Sequence, residues 1–395
     1  MSAEARVLLG CASHSTRRRF LVGGAAGLTT LSVGRPAWAA AETPTRLLIL
    51  IELRGGNDGL NTVVPVEDGR YFDLRPRLAL RDDSLVALAG GPTLHHSLAP
   101  LRPLWETREM AVVESVGYPE PNLSHFRSIE IWDTASGSTE VLQQGWLARA
   151  AATAAFARCA ADGVVIGASD LGPLAGGARA ISLADPERFA RQARLAKAGE
   201  APAHGALAHI LQVESDVVHA AAELRPDVSW KTEFPKTPFG VAIQHAAAIA
   251  STRKVPVIRV TLAGFDTHQN QTNTHAQLLR QVAEGIVSLR NALAEISAWN
   301  DALVLTYSEF GRRPRENASG GTDHGTAAPM FAFGPRIATT RLGAPPALGR
   351  LDGNGNLPYA VDFRSVYAAV LGDWFRLDSE RILGRRFAAI PLLRA

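Results

Sequence analysis

The sequence is short of cysteine, of net charge and of long apolar runs, and each shortage closes off a class of protein. Only two of its 395 residues are cysteines, Cys11 and Cys159. With residues 1–39 set aside as a leader, Cys159 stands alone and no intrachain disulfide can staple the fold. The formal net charge of +3 also belongs to that leader, in which Arg6, Arg17, Arg18, Arg19 and Arg35 face only Glu4. What remains has 36 basic and 37 acidic residues, so the high isoelectric point lends no support to nucleic-acid or membrane-surface binding. Beyond the leader no apolar run approaches the roughly 20 residues of a spanning helix. There is no internal repeat and no long low-complexity segment.

The leader itself is informative. Thr16-Arg17-Arg18-Arg19-Phe20-Leu21 follows the S/T-R-R-x-F-L pattern of twin-arginine signals, and a weakly apolar stretch runs from Leu21 to Val33. Ala37-Trp38-Ala39 is an A-x-A cleavage site with Ala40 as the expected mature start. The expectation is export through the twin-arginine translocase, as a folded chain, to the periplasm or beyond the cell.

In the mature chain, strand-like and helix-like segments alternate. Arg46–Leu53 is a continuous apolar run ending at Gly55-Gly56 and reads as a buried strand. Further strands are expected at Ala111–Val116, Val164–Ile166, Val255–Leu262, Ala302–Thr306 and Pro329–Phe333. Helices are expected at Leu98–Arg108, Asn122–Ala135 (with Phe126, Ile129 and Trp132 on one side), Gly145–Ala161, Phe239–Ala250, His275–Trp299 and Val361–Trp374. A helical insertion is expected around 186–235. The alternation predicts one α/β domain over 40–395, a doubly wound, mostly parallel sheet with helices on both faces. Such sheets bind ligands at the carboxyl ends of their strands.

Four polar clusters fall at those ends. Arg54-Gly55-Gly56-Asn57-Asp58-Gly59-Leu60-Asn61 offers Asp58 as a carboxylate, although Asn-Asp-Gly also makes an ordinary turn. Asn122-Leu123-Ser124-His125-Phe126-Arg127-Ser128 opens a helix, where Ser124 can be a nucleophile, an anion-binding hydroxyl or a cap, and Arg127 an anion clamp. Phe265-Asp266-Thr267-His268 sets a carboxylate and an imidazole two residues apart, the donor types that zinc takes at about 2.0–2.2 Å. Ser308-Glu309-Phe310-Gly311-Arg312 and Gly320-Gly321-Thr322-Asp323-His324-Gly325 add Glu309, Asp323 and His324, with Arg312, Arg313 and Arg315 either binding an anion or lying in a solvated loop. Several carboxylates gathered at one sheet edge would repel one another, and a divalent cation would resolve the repulsion. His204, His209, His219 and His245 lie on expected helices and read as structural or exposed. His95, His96 and His275 fit either reading.

These motifs, together with Asp362-Phe363-Arg364-Ser365, resemble the exported bacterial family catalogued as domain of unknown function 1501, over roughly Arg46 to Leu383. That family resembles in turn the alkaline phosphatase and sulfatase superfamily. The wider resemblance implies an alkaline phosphatase-like fold and a divalent metal, with zinc ahead of manganese or calcium. It implies Asp58, Asp266, His268, Glu309, Asp323 and His324 as ligands, Ser124 as nucleophile (with Ser128 as its neighbouring substitute), and Arg127 or Arg312 holding an anionic ester substrate. Superfamily members have Asp-His where this chain has Glu309-Phe310, so one imidazole of a second metal site is missing. The expected function is metal-dependent hydrolysis of a phosphate or sulfate ester. Its rival is a non-catalytic exported binding or assembly protein that keeps part of the site. A conventional serine hydrolase is disfavoured because Ser124 lies in no G-x-S-x-G elbow, and no pattern points to nucleic acid.

Overall fold

The computed structural model describes residues 46–153, 156, 159–183 and 228–394. The leader, most of the expected helical insertion, and His204, His209 and His219 lie outside the described residues. In chain order the strands are β1 (Leu47–Arg54), β2 (Leu85–Ala87), β3 (Thr93–His95), β4 (Met110–Gly117), β5 (Gly163–Ile166), β6 (Ala180–Leu183), β7 (Val257–Ala263), β8 (Ala302–Tyr307), β9 (Arg312–Glu316), β10 (Thr322–His324), β11 (Ala328–Phe333), β12 (Arg341–Gly343) and β13 (Val361–Asp362). The α-helices are α1 (Gly69–Leu74), α2 (Arg102–Glu106), α3 (His125–Thr134), α4 (Trp146–Ala151), α5 (Pro238–Ser251), α6 (Gln271–Glu295), α7 (Phe363–Ala369) and α8 (Ser379–Leu383).

The apolar run of β1 is buried on both sides, because successive side chains of a strand point to opposite faces. Leu47, Ile49, Ile51 and Leu53 join one core with α2, α5 and α6. Leu48 and Leu50 join the other with α3, α4, α7 and α8. One nine-stranded sheet results, in the order β12-β4-β11-β8-β1-β7-β5-β6, with β13 beside β4. Every pairing in it is parallel except those of β11, which runs against both β4 and β8. The chain is therefore an α/β protein with a doubly wound, mostly parallel sheet, and β1, β4, β7 and β8 all end on the same edge.

On the α3 side of that edge the alternation carries charge in place of hydrocarbon. Glu52 follows Leu48 and Leu50 on that face, pairs in register with Thr261 and Tyr307, and is fully buried with Arg259. Arg259 Nη2 and Thr261 Oγ1 both donate to Glu52 Oε2 at 2.7 Å, and Arg259 Nε donates to Tyr307 Oη at 2.9 Å. A fully paired polar floor thus sits where a core would otherwise continue.

Several elements depart from expectation for local reasons. Phe126 does not join Ile129 and Trp132 in the core; it is 89 % exposed at the start of α3. The Ala-rich segment from Gly145 is described as helix only as far as Ala151. The long helix begins at Gln271 and stops at Glu295, before Ser297 at φ 55°. The helix expected at Val361–Trp374 begins only at Phe363 and changes to a π turn over Val370–Trp374. The arginine-rich stretch after Gly311 is a β-hairpin, β9 paired antiparallel with β10.

Candidate metal centre

The site forms where loops after four parallel strands meet the β9–β10 hairpin. Gly55, at the end of β1, has φ 116°, and a Cβ there would lie 2.3 Å from the backbone nitrogen of Asp266. Only glycine lets the β1 and β7 ends approach this closely. Arg312 then fastens the loops together from the interior, where it is 1 % exposed. Its Nε donates to Gly56 O at 2.8 Å, Nη1 to Thr322 O at 2.9 Å, and Nη2 to Phe265 O at 3.1 Å and to Gly55 O. The same Nη2 meets Asp266 Oδ1 at 2.5 Å. Burial pushes the Asp266 carboxyl up, but Arg312, His268 and His125 outweigh it and hold it below its usual value.

Three side chains aim donor atoms at one point. His125, Asp266 and His324 each present a ligand atom, and these lie within 4.8 Å of one another. His125 Nδ1 is hydrogen-bonded to Glu309 Oε1 at 2.9 Å, which turns Nε2 toward Asp266 Oδ2 at 3.6 Å. His324 Nδ1 donates to the Leu123 carbonyl at 2.8 Å and leaves Nε2 at 3.4 Å from Asp266 Oδ1. Neighbouring donors around a tetrahedral ion at about 2.0–2.2 Å sit about 3.3–3.6 Å apart, so the spacing fits a bound cation. His268 Nε2 lies 3.0 Å from both His324 Nε2 and Asp266 Oδ1 and offers a fourth donor. Each histidine also has an acceptor at its far nitrogen, Glu309, Leu123 O or Asp323 respectively, an arrangement that fixes ring orientation in metal sites. The bond to Glu309 raises the His125 imidazole above its ordinary range, whereas burial lowers that of His324.

The remaining candidates occupy other places. Asp58 is not among the converging donors. It is fully buried, with Arg75 Nη1 at 2.6 Å from Oδ2 and Nη2 at 2.9 Å from Oδ1, and Gln271 Nε2 also donating to Oδ2. A carboxylate whose oxygens are so engaged is an interior ion pair. Glu309 stands behind the cluster, accepting from His125 Nδ1 and from Gly55 N at 2.8 Å. Asp323 stands behind His268 at 3.4 Å and also accepts from Asn317 Nδ2 at 3.1 Å. Arg127 does not face the donors: it donates to the carbonyls of Gly137, Ser138 and Glu140 and pairs with Glu130 at 2.8 Å. Arg312 has its nitrogens bound as described and is a brace. Ser128 is buried, with its hydroxyl on Tyr118 Oη at 2.9 Å and on Glu309 O. Ser124 is exposed and its side chain caps no amide; its neighbours Leu123 and His125 both touch the cluster. His275 and His95 are buried elsewhere, where loss of water lowers their imidazoles to about 4 and about 3. His125 is the candidate donor that sequence reasoning passed over, although it stands inside the quoted Ser124–Ser128 motif after a strand.

A cavity of about 990 Å³ adjoins the cluster and shares His125, Asp266 and Glu309 with it. It is lined along α3 and by the ion-paired Glu52, Arg54 and Asp170.

No curated protein matches the chain at a significant level. Solved structures match distantly. The lipoteichoic acid synthase LtaP from Listeria monocytogenes is 10 % identical, with a TM-score of 0.35 over 75 % of this chain and 67 % of that one. The soluble domain of lipooligosaccharide phosphoethanolamine transferase A from Neisseria meningitidis is 9 % identical, with a TM-score of 0.36 over 74 % and 78 %. An alkaline phosphatase from the Antarctic bacterium TAB5 is 10 % identical, with a TM-score of 0.30 over 74 % and 92 %. At these scores the chemistry has to be read from this chain's own residues. The family described as "Protein of unknown function (DUF1501)" matches residues 107–385, and the chain belongs to that family.

Proposed function

We propose that this protein is an exported, metal-dependent hydrolase of a phosphate or sulfate ester. The observation that carries the reading is the convergence of His125, Asp266 and His324, with the far nitrogen of each imidazole already engaged. Imidazole-rich donors of this kind suit zinc better than manganese, which favours carboxylate and water, or calcium, which prefers six to eight oxygens. A cation held there would act as a Lewis acid on an ester oxygen. His125, Asp266, His324 and His268 would hold it, with Glu309 and Asp323 orienting two of the rings. Ser124 supplies the attacking hydroxyl: it is exposed, performs no capping, and lies between two residues of the site. Its Oγ forms the bond to phosphorus or sulfur, the bond to the ester oxygen breaks, and the hydroxyl proton ends on the departing alcohol. Water then attacks the phosphorus or sulfur, the bond to Oγ breaks, and a proton of the water returns to Oγ as free phosphate or sulfate leaves. The arginines expected to clamp the anion are committed to backbone carbonyls, so charge stabilisation falls to the cation site.

Delivery through the twin-arginine translocase completes the proposal and rests on the leader motif. Among the described residues no helix is long and apolar enough to cross a membrane.

Elemental mass spectrometry of the purified protein, beside His125→Ala and His324→Ala, tests the centre. Near-stoichiometric zinc or manganese lost in both variants is expected. Hydrolysis of aryl phosphate and aryl sulfate by the loaded protein, abolished in Ser124→Ala, is expected next. Absence of metal after refilling would transfer the function to a binding role, and full activity in Ser124→Ala would remove the serine from the chemistry.

A further inference from the structure

The cavity beside the donors has a second end. His125, Ile129 and Asp133 all line it, at i, i+4 and i+8 along one side of α3. At 1.5 Å per residue the helix carries this wall about 12 Å from the cluster to Asp133. Ile129 stands between the two ends on the helix, and Leu142, Leu171 and the exposed Phe126 add hydrocarbon to the lining.

The carboxylates of the cavity are not equivalent. Glu52 and Asp170 are matched by Arg54 and Arg259, with contacts of 2.7–3.0 Å. Glu130 is matched by Arg127 at 2.8 Å, Asp266 by Arg312 and Glu309 by His125. Asp133 has no such partner among the described residues, and its Oδ1 is enclosed without a hydrogen bond. Burial pushes this carboxyl up to about 8. Arg259 and Arg54 act against this rise without pairing with the carboxyl. A carboxylate oxygen enclosed without a hydrogen bond is costly to the fold alone, and a donor brought by a ligand would relieve that cost.

We infer that the cavity takes an elongated, amphipathic ester whose anionic group sits at the metal centre and whose far end carries an ammonium received by Asp133, with an apolar stem of about eight carbons between them. The inference rests on the reading of the centre as an anionic-ester site and adds the rest of the substrate to it.

The test uses the zinc-loaded protein and three probes, octyl phosphate, aminooctyl phosphate and octylamine, titrated by calorimetry into wild type and Asp133→Asn. In wild type the amine-bearing phosphate should bind about tenfold tighter than octyl phosphate, an added charge-assisted hydrogen bond of about 1.4 kcal/mol. Asp133→Asn should bring that ratio close to one and leave octyl phosphate unchanged. Equal affinities in wild type would overturn the proposal without recourse to any variant, as would a tenfold ratio surviving in folded Asp133→Asn. Octylamine separates the two readings. Asp133-dependent octylamine binding with no phosphate binding would refute the ester centre and uphold the distal site. Phosphate binding with neither amine effect would do the reverse.

Discussion

Replacing Asp58 by Asn should cost the protein stability and leave its metal in place. The carboxylate and Arg75 are both fully buried, and their two contacts at 2.6 and 2.9 Å form a bidentate pair. Arg75 is held further by Asn61 Oδ1 at 2.7 Å, Pro314 O at 2.7 Å and Arg313 O at 3.0 Å, so it cannot swing to solvent when its partner is neutralised. Stranding one charge of a buried pair costs about 3–5 kcal/mol. At about 2 °C per kcal/mol for a chain of this size, the melting temperature should fall by about 6–10 °C. The double variant Asp58→Asn with Arg75→Met removes both charges and should recover part of the loss, because no lone ion remains inside. The pH dependence has a fixed sign. Burial pushes the Asp58 carboxyl up, but Arg75 and the groups beside it bring it below its ordinary value. Its contribution is therefore present above about pH 4 and is lost as pH falls through the lower folded value. The gap between wild type and Asp58→Asn should close on acidification over that range. Calorimetric melts with metal content measured on the same samples decide the matter. Folded Asp58→Asn that melts like wild type but arrives without metal would refute the argument and return Asp58 to the ligands.

Other consequences can be checked alongside. Glu309→Gln weakens the hold on His125 without removing a converging donor, so metal affinity should fall about 10–100-fold while stoichiometry at saturation is unchanged, as read by chelator competition. His268→Ala should reduce metal affinity less than His125→Ala in the same assay, since His268 stands outside the three residues whose ligand atoms all lie within 4.8 Å of one another. Gly55→Ala should destabilise the fold and lower metal occupancy together, because the new methyl would meet the Asp266 backbone at 2.3 Å; wild-type behaviour in both measurements would exclude this close approach. Phe126→Ser, at a side chain 89 % exposed, should change the stability read from calorimetric melts by no more than about 0.5 kcal/mol.

The sheet was readable because burial on two faces leaves a mark that needs no tertiary knowledge: Leu47 to Leu53 and Ala302 to Leu305 are apolar at nearly every position. The edge that holds the candidate site followed from the alternation of strands and helices, and Asp266, His268 and His324 lie close together there. What escaped were properties settled by partners distant in sequence. Asp58 looks like a free carboxylate until Arg75, seventeen positions on, is seen to take both oxygens. Arg127 and Arg312 look like anion clamps because arginine binds anions, yet backbone carbonyls claim them first. Helical spacing put Phe126 on one side with Ile129 and Trp132, and that side borders a cavity where Phe126 is 89 % exposed. His125 was passed over beside a serine with a more familiar role, although a histidine opening a helix after a parallel strand was itself a signal.

The donors around the candidate ion come from residues 125, 266, 268 and 324, and the last of them sits on a hairpin that precedes β11, the one antiparallel strand of the sheet among the described residues. During synthesis, then, most of the parallel framework can form before the site exists. An ion bound at His324 is accordingly a record that the late part of the chain has joined the early part. Metal occupancy would mark completed folding more sharply than secondary-structure content, and a chain stalled ahead of Gly320 would have much of its sheet and no means of holding the ion.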